Sequence, residues 1–103
     1  GYYTLAVKRD TPVPIIEKIA AAFKEACNSP KFEGLLNKKF FLKDVLVGEA
    51  ADKAAARAES TTAWLLWDLK VEGAKVNPAD IGIPRPEDFD KWWPPEGYKP
   101  RIK

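Results

Sequence analysis

Thr11-Pro12-Val13-Pro14, standing between a short apolar run and a long apolar-striped segment, constrains this chain more than any other stretch. Proline has no backbone N–H, and it is tolerated in the first turn of a helix, where no intrahelical bond is lost. After the prolines, Ile15, Ile19, Phe23 and Cys27 recur with Ile16 and Ala20 beside them, the spacing of one face of a 3.6-residue helix. Glu17, Lys18, Lys24 and Glu25 take the opposite face. The pattern predicts a helix from about Pro12 to Asn28, with the Thr11 hydroxyl accepting a hydrogen bond from the first turn. Before it, Gly1 to Val7 carries Tyr2, Tyr3, Thr4, Leu5 and Val7, and this strand-favouring mix predicts a buried strand.

Asn28-Ser29-Pro30 ends the first helix, and Ser29 as cap with Pro30 at the first helical position predicts a second from Pro30 to Asn37. Phe32, Leu35 and Leu36 face inward in that reading, while Gly34 weakens the helix modestly. Phe40 to Val47 then predicts a second strand, ended by Gly48. A strand, two helices and a strand in this order make a crossover unit, right-handed, with its strands parallel in one sheet. The alanine-rich run from Ala50 has high helix propensity and continues past Trp64 to about Leu69. Ala54, Ala58, Thr61, Thr62, Leu65, Leu66 and Leu69 give its expected buried side. The expected fold is therefore α/β in residues 1–70, followed by a proline-rich aromatic tail, 71–103, that packs back on the body.

That tail holds six of the nine prolines. Asn77-Pro78-Ala79-Asp80 reads as a turn or a single helical turn, and Ile81 to Pro86 is too rich in proline for an internal strand. Trp92-Trp93-Pro94-Pro95 with Tyr98 forms an aromatic arm. Two adjacent tryptophans are costly to leave in water, so the arm is expected to fold back. Ile81, Ile83, Trp92 or Trp93 should then cover Trp64 or Trp67.

The chemistry is bounded mainly by what is missing. The 103 residues contain no histidine and one cysteine, which removes Ser-His and Cys-His nucleophile pairs, histidine-based zinc sites and any internal disulfide. Ser60-Thr61-Thr62 has no suitably placed base to activate it. Glu87-Asp88-Asp90 lacks the alternating ligand spacing and turn glycine of a calcium loop. No catalytic residue, metal site or cofactor is expected, and the chain does not read as an enzyme. Seventeen basic against fifteen acidic residues leave a formal charge of +2, too balanced to call for nucleic acid. No segment reaches the roughly 20 consecutive apolar residues of a membrane span.

The run Thr-Leu-Ala-Val-Lys-Arg-Asp-Thr-Pro from Thr4 to Pro12, followed by Ile15-Ile16-Glu17-Lys18-Ile19, resembles the tripartite tricarboxylate transporter receptors, the Bug-type periplasmic solute-binding proteins. In that family a strand ending Ala-Pro-x-Gly-Thr-Pro leads into a helix. Thr11-Pro12 matches, while Val7 and Lys8 replace Ala-Pro and Asp10 replaces Gly. Gly48-Glu49-Ala50-Ala51 stands where the family has Gly-Gly-Ser/Thr-Pro, and the Trp-Leu-Leu…Asn-Pro-Ala-Asp-Ile-Gly-Ile-Pro ending is similar to that of divergent receptors. The resemblance covers the order of elements from Thr4 to about Leu69 and marks the chain as a divergent member.

What the resemblance implies is a carboxy-terminal portion of a two-lobed periplasmic receptor, with a periplasmic-binding-protein-like lobe, that captures a small organic acid and hands it to membrane transporter subunits. Tyr2, Tyr3 and Thr4 would lie near the hinge or cleft mouth. Family ligands are carboxylates held by loops outside these residues, so the fragment alone should not bind ligand well. A signal and most of the receptor would precede Gly1. Two strands without their neighbours would leave open sheet edges, through which the isolated fragment is expected to self-associate. The alternative is a free-standing α/β protein-interaction module that presents its aromatic carboxy-terminal arm to a partner.

Overall fold

The computed structural model describes residues 3–103, and every regular element among them is helical. Contacts divide the chain into two compact units, residues 1–48 with 101–103, and residues 49–100.

In the first unit, α1 spans Val13–Cys27 with Pro12 at its N-cap and Pro14 in its first turn. The amides of Ile15 and Ile16 both donate to the Pro12 carbonyl, at 3.0 and 3.1 Å. The expected Thr11 cap does not form, because Pro12 occupies the capping position and no side chain caps this helix. Ile16, Ala20, Phe23 and Cys27 form the covered stripe, and Cys27 is buried. Ile15 and Ile19, read as inward from the sequence, lie at its rim and are exposed. The Ser29 hydroxyl accepts from the Phe32 amide and starts α2, Pro30–Lys39, as the Ser-Pro pair predicts. Phe32 and Leu36 are half-buried, whereas Leu35 is exposed.

The α/β expectation is overturned: no strand forms among the described residues. Of the first predicted strand, Gly1 and Tyr2 lie outside the described residues, and the segment from Tyr3 to Val7 is irregular and exposed. Phe40, expected to open the second strand, instead ends α2 in the left-handed conformation, with φ 58°. Its amide and that of Phe41 bond back to Asn37 and Leu36, closing the helix C-terminus. The remainder, to Val47, is irregular. The physical reason is that β-propensity measures how a side chain fits a half-buried pleated surface. Residues such as Phe41, Leu42 and Val45 supply suitable side chains, but a strand also needs a backbone ladder.

The second unit is built on α3, Glu49–Asp68. It ends in a second left-handed residue, Lys70 with φ 54°, while the Val71 amide bonds back to Leu66. Asn77 caps a 3₁₀ turn, Pro78–Ile81, by accepting from the Ala79 amide. Gly82, at φ 77°, closes that turn. A second 3₁₀ turn, Pro86–Asp88, leads into the short α4, Phe89–Trp92. Both 3₁₀ turns pack against α3, and the fully buried Phe89 is the centre of this unit.

The most buried face of α3 is not the one expected. Ser60 and Trp64 are buried and the expected Ala54 and Ala58 are half-buried, whereas Thr61, Thr62, Leu65, Leu66 and Leu69 are exposed. The hydrophobic pattern pointed to the leucines. The tail instead takes the face that offers hydrogen-bond donors as well as aromatic area, because a proline-rich segment brings carbonyls with no helix or sheet partner.

Candidate functional site

Tyr2, Tyr3 and Thr4 are the residues the resemblance sets near a cleft or hinge. Tyr2 lies outside the described residues. Tyr3 and Thr4 are both exposed, and the Tyr3 ring lies edge-on to Phe41 at 5.9 Å between centroids.

The most ordered constellation runs along one face of α3. Arg57, Ser60, Trp64 and Asp68 are spaced three or four residues apart and so share a stripe. Each holds the tail. Ser60 Oγ donates to the Pro84 carbonyl at 2.7 Å, and Trp64 Nε1 donates to the Ile83 carbonyl at 3.1 Å. Pro84 has no N–H, and consecutive carbonyls on its two sides would otherwise be left unpaired beneath the strap. No buried side-chain nitrogen or oxygen among the described residues lacks a partner.

Two arginines reinforce the clamp with a shared geometry. The Arg85 guanidinium lies 3.8 Å from the Trp64 ring centroid and forks onto both carboxylate oxygens of Asp68, at 2.7 and 3.2 Å. Its hydrogen bond to Asp68 raises its pKa above the already high ordinary value. Arg57 stacks over Phe89 at 4.4 Å and pairs with Asp90. A planar guanidinium can offer its face to a ring and its edge to a carboxylate at once, which an ammonium cannot.

The aromatic arm completes the unit. Phe89 stacks with Trp93 at 6.0 Å, Trp93 meets Tyr98 at 4.9 Å, and the Tyr98 hydroxyl donates to Asp52 at 2.6 Å. Burial, followed by the bond to Asp52, pushes the Tyr98 hydroxyl well above its usual pKa. Chemically these donors, rings and charges pair with one another, and the ion pairs at the rim stay open to solvent.

The sequence places Trp64 or Trp67 under the tail, and Trp64 is the one bonded to it; it does not single out Arg57, Ser60, Asp68 or Arg85 as its partners. The spacing of Arg57, Ser60 and Asp68 on α3 is visible, but no pattern in the sequence tells which arginine meets which carboxylate. The acidic run Glu87-Asp88-Asp90 contributes Asp90 to the Arg57 pair, and among the described residues no group of side chains is arranged to hold a metal ion. No helix of the described residues is long and apolar enough to cross a membrane. Comparison with protein-family models, with curated proteins and with solved structures returns no match to this chain.

Proposed function

We propose that the chain is the carboxy-terminal portion of a periplasmic receptor that captures a small organic acid for a membrane transporter, contributing binding and no bond-making chemistry. The observation that carries this reading is the Thr11-Pro12 pair opening directly into α1, together with the Ile-Gly-Ile-Pro ending; the two strands of the resemblance do not form among the described residues. Large exposed side chains on the flanking segments add support. Leu5, Phe40, Phe41 and Leu42 are 70%, 94%, 48% and 98% exposed. In the proposed receptor, further polypeptide covers them.

The interaction-module reading has less behind it. It needs the aromatic arm to be free, and Trp92, Trp93 and Tyr98 are packed on Phe89 and Asp52 instead. The direct test is to sequence the open reading frame upstream of Gly1. The receptor reading expects a leader and enough coding length for a second lobe, and an in-frame stop shortly upstream would remove it.

A further inference from the structure

Residues 101–103 follow the second unit in sequence but belong to the first. They make two separate attachments there. Arg101 Nη2 donates to the Thr11 carbonyl at 2.6 Å, across 90 residues of chain. The Thr11 carbonyl lies just outside α1, whose first amides bond to Pro12, so it is available to a side chain. The second attachment is at Gly48, which has φ +62°. A Cβ built there would lie 2.6 Å from the carbonyl carbon and oxygen of Lys103. Glycine therefore satisfies two demands at this position, a left-handed backbone and a backbone packed directly against it.

We propose that Arg101–Lys103 is a reversible latch on the first unit, tying the turn that begins α1 to the Gly48 turn. Residues 101–103 form no helix or strand, and Arg101 is exposed, so the hold rests on one charge-assisted hydrogen bond, the half-buried Ile102 and the Lys103 backbone. A bond of that kind shifts an opening equilibrium by about tenfold, enough to favour the closed form and weak enough to release it. Opening frees the Thr11 carbonyl and the approach to Gly48 together, because one three-residue segment serves both.

Hydrogen exchange read by mass spectrometry on the full chain tests this. Arg101→Ala should speed exchange about tenfold in peptides covering residues 8–17 and 45–50. Arg101→Lys, which keeps a donor without the fork, should give a smaller effect. Gly48→Ala should loosen the same peptides, and the double variant should exceed the larger single effect little or not at all, since both act on one latch. Peptides covering Arg57 to Asp68 should be unchanged throughout, which separates latch release from general unfolding. Unchanged exchange in Arg101→Ala, or effects that multiply in the double variant, would overturn the proposal, and the Arg101 pair decides it even where Gly48→Ala unfolds the first unit.

Discussion

Replacing Trp64 by alanine removes the residue on which the second unit is closed. Trp64 is only 7% exposed, its Nε1 donates to the Ile83 carbonyl, and its ring carries the Arg85 guanidinium. Truncating a buried tryptophan to alanine costs about 3 to 5 kcal/mol, most of it lost contact and the cavity left behind. The hydrogen bond contributes about 1 kcal/mol and the exposed cation–ring contact about 0.5 to 1 kcal/mol. These overlap with the truncation figure and do not add to it. A unit of this size has a total stability of only about 3 to 8 kcal/mol, so Trp64→Ala should leave the second unit largely unfolded. Urea unfolding followed by near-ultraviolet circular dichroism reads this directly, since Trp92 and Trp93 lose their fixed surroundings with the strap. Lys99→Ala, at an exposed position, should shift stability by less than about 0.5 kcal/mol. Equal, small losses from the two substitutions would show that the tail is not held on α3 and that the clamp described above is wrong.

Ser60→Ala should cost about 1 to 2 kcal/mol in the same urea experiment, because it strips the Pro84 carbonyl of its donor at a fully buried position. Phe40→Gly should stabilise the end of α2 by up to about 1 kcal/mol, seen as a higher melting temperature, since Phe40 is left-handed and nearly fully exposed and loses no packing. Tyr98 has a raised pKa in the folded unit, so its neutral form is favoured there; that stabilisation is complete below about pH 10 and is lost as the pH rises further. Tyr98→Phe should accordingly flatten the alkaline fall in urea midpoint. The isolated chain, with Phe40 and Leu42 bare, should self-associate, and sedimentation showing a stable monomer at high concentration would count against that.

The helices were legible because their signals are local. Ser29-Pro30 specifies a cap and a first turn within two residues, and Asn77-Pro78 does the same for a 3₁₀ turn. The strands were not, since the aromatic and β-branched residues of Tyr3–Val7 and Phe41–Val47 state only what a sheet would accept. Whether a ladder exists is a question about other backbone, which no residue in those segments answers. The buried face of α3 failed for a related reason. Leu65, Leu66 and Leu69 made the more apolar stripe, but the tail needed donors for the carbonyls of Ile83 and Pro84, and Ser60 and Trp64 supply them on the other face. The placing of Tyr2, Tyr3 and Thr4 near a cleft rests on resemblance alone; Tyr3 and Thr4 are exposed, and Tyr2 lies outside the described residues.

The proposed receptor reading is tested most directly by isothermal titration of the full-length product of the open reading frame that encodes these residues, with a panel of di- and tricarboxylates. The account predicts saturable binding of at least one carboxylate at one site per chain, and none by residues 1–103 alone. A complete polypeptide that is folded by circular dichroism and binds no member of the panel would contradict it.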